Sequence, residues 1–70
     1  MNANTIKQIT SNDGETVIFL DGRGFGFSLR GHQETAERFE TSRQAAIAAG
    51  LSESEAAELD AGDWDWTDRK

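Results

Sequence analysis

The stretch Glu15 Thr16 Val17 Ile18 Phe19 Leu20 Asp21 Gly22 Arg23 Gly24 Phe25 Gly26 Phe27 Ser28 Leu29 decides the fold. Its first part ends in the large apolar run Val17 to Leu20, which a strand can hold only if both of its faces are covered. That predicts a central strand. Asp21 to Gly24 is turn chemistry, and beyond it Phe25, Phe27 and Leu29 alternate with small residues at the period of two that a strand imposes. Upstream, Thr5 to Thr10 is β-prone and is closed by Ser11 Asn12 Asp13 Gly14, which contains the Asp-Gly pair favoured in hairpins. Gly31 breaks the third strand. Gln33 to Glu40 then reads as a fourth strand ending at Phe39 or as an early helix, the strand fitting better because Thr41 can then cap a helix that starts after it.

The second half changes period. Thr41 to Gln44 fits a capping box, with Thr41 at N-cap and Gln44 at N3, leading into Ala45 Ala46 Ile47 Ala48 Ala49 and a terminal Gly50. Ser52 to Glu55 repeats the device and opens a second short helix that Gly62 stops. Asp63 Trp64 Asp65 Trp66 Thr67, taken as a strand, puts both tryptophans on one face and both aspartates on the other. The expected architecture is α+β, a single domain over residues 1–70. A three- or four-stranded antiparallel meander packs against two short helices and is followed by a C-terminal strand or extended segment.

Composition narrows the function. Hydrophobic residues are 36% of the 70, nine of them alanine, which leaves a small core. With no cysteine there is no disulfide and no thiolate metal site, and His32 is the single histidine, so neither a metal nor another cofactor is expected. Modest stability, aided by a homodimer or a partner, follows from the thin core. No apolar run is long enough for a membrane span, and the first residues have neither a basic start nor an apolar signal region, so a cytoplasmic location is expected.

Catalysis is not expected. His32 beside Gly31 reads as a solvated loop residue, and the glycines of Gly22 to Gly26 are followed by neither the lysine nor the helix of a phosphate loop. Arg23 Gly24 Phe25 Gly26 Phe27 resembles the ribonucleoprotein octapeptide of RRM and cold-shock domains, in which strand aromatics stack on bases. It matches five of the eight positions. Ser28 stands where a valine or isoleucine is expected, and Arg30 where an aromatic is expected. One reading makes the chain a single-stranded nucleic-acid binder, with Phe25 and Phe27 stacking and Arg23 and Arg30 holding phosphates. The other makes Phe25, Phe27 and Leu29 core residues, and it is the one expected here.

Charge supplies the stronger signal. Thirteen acids against seven bases give a net charge of -6, and from residue 44 to 68 there are seven acids and no base. Such a field repels a duplex backbone, which a binder must neutralise with Lys or Arg. On the second helix Glu55 and Glu58 share one face and Glu53 and Asp60 another, with Asp63 and Asp65 continuing along the next segment. These six carboxylates are the candidate partner-binding residues, a protein surface imitating a polynucleotide. A structural adaptor is the remaining alternative.

Ala56 Ala57 Glu58 Leu59 Asp60 Ala61 Gly62 Asp63 Trp64 resembles the C-terminal element of a small type I-F anti-CRISPR family, where an Ala-Ala-x-Leu-x-x-Gly-acid-Trp run joins the last helix to the last strand. Ala56, Ala57, Leu59, Gly62 and Trp64 match as scaffold, over nine of the 70 residues. The resemblance implies a phage protein that binds a type I CRISPR surveillance complex in the bacterial host. Its partner would be the basic nucleic-acid-binding surface of the Cascade large subunit, where it would block target DNA.

Overall fold

In the computed structural model, which describes residues 5–68, three strands come first: β1 (Thr5–Thr10), β2 (Thr16–Asp21) and β3 (Gly24–Leu29). Two helices follow, α1 (Ser42–Ala48) and α2 (Glu53–Asp60), and then β4 (Asp65–Asp68). The sheet order is β3-β2-β1-β4, antiparallel throughout, so the meander closes in Greek-key fashion with the last strand returning beside the first. β2 is central, as its double-sided apolar run requires.

The first hairpin is held by its own polar side chains. The Ser11 hydroxyl donates to Asp13 Oδ1 at 2.6 Å, the Glu15 N–H donates to the same oxygen at 3.0 Å, and Thr16 N–H donates to Ser11 Oγ at 3.1 Å. The Ser11 hydroxyl, with the Glu15 amide, holds the Asp13 carboxyl below its ordinary range. Gly14, at φ 76°, takes the left-handed step that the turn needs.

Register decides what each face buries. Ile9 stands opposite Ile18, and Ile18 opposite Phe27, and this row meets Ala45, Ala46, Ala56 and Leu59 of the helices in the core. Alanines at the contact let both helices approach closely, while Phe25, Phe27, Phe39, Leu51 and Trp64 fill the periphery. The capping box at Thr41 is present in full. α1 ends in a Schellman motif: Gly50 N–H donates to Ile47 O and Leu51 N–H to Ala46 O, with Gly50 at φ 100°. α2 starts on Ser52, whose side chain accepts from Glu55 N–H. Gly62 does follow its end, but its backbone is not left-handed. A Cβ there would stand 2.6 Å from Ile9 Cδ1, so close packing on the sheet is what demands glycine.

The opposite face of the sheet buries Phe19, which is 1% exposed. Its ring lies across Gly26, where a Cβ would come within 2.7 Å of Phe19 Cζ. The Arg38 guanidinium covers the ring at 4.9 Å. Arg38 donates to Asp21 from Nε (3.2 Å to each oxygen) and Nη2 (2.8 Å), and from Nη1 to the carbonyls of Thr35 (2.6 Å) and Glu37 (2.9 Å). These bonds, led by those from Arg38, pull the Asp21 carboxyl down to about 2.

The segment expected to be a fourth strand or an early helix, Gln33 to Glu40, is neither. It is an extended, irregular strap with two anchors on β3: Thr35 N–H donates to Phe27 O at 3.0 Å, and Phe25 and Phe39 exchange backbone bonds at 3.1 and 2.7 Å. Four residue steps separate Thr35 from Phe39, against two from Phe27 to Phe25. A regular ladder cannot absorb that mismatch, and the slack turns Arg38 onto Phe19.

Candidate functional site

The acidic surface is organised by α2. Glu53 and Glu55 lie in its first turn, where the helix dipole favours negative charge, and Ser52 fixes the start. Ala56 and Leu59 are buried toward the sheet, which leaves Glu53 and Glu58 exposed. Beyond the helix, Trp64 Nε1–H donates to Leu59 O at 3.0 Å, a carbonyl that also accepts the Gly62 N–H at 3.1 Å. This bond holds the turn in which Asp63 is exposed.

The six carboxylates do not play equal parts. Glu55 Oε2 accepts the Asn12 N–H at 3.3 Å, which ties α2 to the β1–β2 turn. Asp60 accepts the hydroxyl of Ser42, joining the two helices. Asp65 stands opposite Gln8, itself opposite Phe19, so it sits on the sheet face turned away from the helices. The structure therefore brings Glu53, Glu58 and Asp63 onto the helical side as exposed groups, gives Glu55 and Asp60 structural bonds, and separates Asp65. None of the six forms an ion pair with another described residue. Three arginines are committed elsewhere, Arg23 and Arg38 to Asp21 at 3.8 and 2.8 Å and Arg30 to Glu15 at 3.6 Å, while Arg43, exposed on α1, forms no ion pair with a described residue. Arg69 lies outside the described residues.

The stacking platform is not formed. Phe25 and Phe27 point to the helical face and pack on the core, and Phe25 meets Trp64 edge-on at 6.0 Å between centroids. Helices and indole occupy the space a base would need. Arg23 and Arg30 flank opposite ends of β3, each paired with a carboxylate. His32 is an exposed loop residue.

Sequence reasoning missed Lys7. Its Nζ lies 5.9 Å from the ring centroids of both Trp64 and Trp66, because β1 pairs Lys7 with Trp66 and the turn after α2 brings Trp64 to its other side. Lys7 and Trp64 line a cleft of about 260 Å³ with Leu20, Phe25, Ser42, Asp60 and Gly62. Only the β1–β4 pairing creates this arrangement, and nothing in the sequence specified that pairing. A wider groove of about 610 Å³ runs between α1 and the strap, lined by Arg38, Phe39, Glu40, Gln44, Ile47 and Ala48. No group of three or more His, Asp or Glu side chains among the described residues is placed to hold a metal ion. Nor is any described helix long and apolar enough to cross a membrane. The chain matches no protein-family model, no curated protein and no solved structure.

Proposed function

We propose that the protein is a small acidic interaction protein that docks on a basic nucleic-acid-binding surface of a partner and displaces the nucleic acid. One observation carries this reading: Glu53, Glu58 and Asp63 are exposed on α2 and the turn after it and form no ion pair with a described residue, while Arg23 and Arg38 are paired with Asp21 and Arg30 with Glu15. Uncompensated charge of one sign destabilises a compact chain through self-repulsion, and it speeds encounter with a surface of the opposite sign. The partner implied by the Ala56 to Trp64 element is a type I CRISPR surveillance complex in the bacterial cytoplasm, at the large subunit that reads duplex DNA. The bound protein then acts there as a DNA mimic.

The test is capture by a purified type I surveillance complex, with and without target DNA, by the wild-type chain and by a triple variant carrying Glu53→Lys, Glu58→Lys and Asp63→Lys. Capture that falls at least a hundredfold in the variant, with an unchanged circular dichroism spectrum, is the expected result, as is competition with target DNA. Undiminished capture by the variant removes the mechanism, and absence of wild-type capture removes the partner.

A further inference from the structure

We infer that the cleft beside Lys7 is a binding site for a free aliphatic α-amino acid, held at both ends by charge. The site uses none of Glu53, Glu58 and Asp63, so it goes beyond the proposed docking and does not depend on it.

Register builds the cleft. Leu20 stands opposite both Phe25 and Lys7, and Lys7 opposite Trp66, so these four residues form one row across the sheet with their side chains on one face. Lys7 is two residues from Ile9, which packs against the core, and that places the row on the helical face. Trp64 joins it from the turn after α2, edge-on to Phe25 at 6.0 Å and 5.9 Å from Lys7 Nζ, with its indole N–H fixed on Leu59 O. The walls are thus apolar and held in place. The helices supply the remaining side, Asp60 from the end of α2 and the buried Ser42 from α1, whose hydroxyl donates to Asp60 Oδ1.

Two opposite charges line this one cleft without meeting. Lys7 and Asp60 form no ion pair with each other or with another described residue. The two indoles attract the Lys7 ammonium, but its three N–H donors find no oxygen acceptor among the described residues. Asp60 Oδ2 likewise has no described donor, because Ser42 bonds to Oδ1. At about 260 Å³ the cleft falls below the range of about 300–1,000 Å³ that takes drug-sized ligands, so its occupant is a small molecule. A simple anion would meet Asp60 and a simple cation would meet Lys7, whereas a zwitterion satisfies both. The ligand's carboxylate accepts from Lys7 Nζ, its ammonium donates to Asp60 Oδ2, and an aliphatic arm lies on Leu20, Phe25 and Trp64. Ser42 is a positioning residue that orients the carboxylate of Asp60.

The probe is L-leucine, titrated into the full chain while the Trp64 indole N–H resonance and the backbone amides are followed. Saturable shifts at Trp64 and at residues 7, 42, 60 and 62 are expected, with a Kd of about 10 mM or tighter, the strength that about nine non-hydrogen atoms supply at ordinary ligand efficiency. Isocaproate lacks the ammonium and isoamylamine lacks the carboxylate, and each is expected to bind at least tenfold more weakly. Lys7→Met keeps the stem against the indoles; it is expected to weaken leucine at least tenfold while binding isoamylamine no more weakly than the wild type does. Asp60→Asn keeps an acceptor for Ser42 and is expected to weaken leucine equally while leaving isocaproate unweakened. No saturable shift in the wild-type chain overturns the site. Equal binding of leucine and either analogue overturns the bridging, and a variant that weakens leucine and both analogues alike overturns the role given to that residue. If a variant fails to fold, as its circular dichroism spectrum would show, the wild-type analogue series decides the question alone. Leucine binding is expected to survive in the α2 triple variant, and capture by the surveillance complex is read separately, so the failure of either proposal leaves the other standing.

Discussion

Arg38→Met and Asp21→Asn, made singly and together, test the strap that covers the open face of the sheet. The two side chains are 9% and 15% exposed and share three short contacts, at 3.2, 3.2 and 2.8 Å. Holding Asp21 at about 2 instead of 3.8 makes the ionised form worth about 2 kcal/mol to the native state. A domain of this size has a total stability of about 4–10 kcal/mol, so the pair is a large share of it. Methionine keeps the apolar stem over Phe19 and removes the fork, which isolates the polar term. Urea denaturation followed by tryptophan fluorescence is expected to give a coupling energy of about 2 kcal/mol at pH 7. The folded carboxyl lies below its unfolded value, so the contribution is complete above about pH 5 and is lost as pH falls through 3.8 toward and below 2. Between pH 5 and 8 this group adds no slope. A coupling under about 0.5 kcal/mol at pH 7, or one that persists undiminished at pH 2, refutes the argument.

Two further substitutions probe other parts of the fold. Gly62→Ala places a methyl 2.6 Å from Ile9 Cδ1 and 3.3 Å from Glu58 O, and is expected to cost about 1–3 kcal/mol in the same assay; a neutral effect means that the end of α2 is not seated on β1 as described. Phe25→Ala is expected to cost about 2 kcal/mol, reduced from the full core value because the ring is half-buried, while the wild-type chain gives no shift with a labelled single-stranded oligonucleotide at physiological salt. Oligonucleotide binding that vanishes in Phe25→Ala at unchanged stability restores the stacking reading.

Local chemistry made most of the fold legible. Val17 to Leu20 is apolar without alternation, and β2 is indeed enclosed between β3 and β1 with Ile18 and Phe19 buried on opposite faces. The caps at Thr41 and Ser52 fall where the helices start, because side-chain capping acts within three residues and is written in adjacent letters. Gln33 to Glu40 was not legible. Its conformation is set by Arg38 reaching Asp21, seventeen positions earlier, and by backbone bonds to β3, neither of which leaves a period in the sequence. The site divides the same way. Exposure of Glu53 and Glu58 follows from the burial of Ala56 and Leu59 on one short helix, whereas the placement of Asp65 on the far face depends on the register of β4 against β1. The Lys7 cleft had no sequence signal at all.

The return of β4 to the side of β1 carries a kinetic consequence. The turns joining β1 to β2 and β2 to β3 close loops of a few residues, but Thr5 meets Asp68 only after both helices have been threaded between them. Loop-closure entropy rises with the logarithm of the span, and long-range pairing slows folding. The three-stranded hairpin array is therefore the natural nucleus, and the tryptophan-bearing strand is the piece that docks late. The indole contacts of Lys7 consequently report the final stage of assembly: a stopped-flow fluorescence trace is sensitive to the slowest closure in the molecule without any introduced probe.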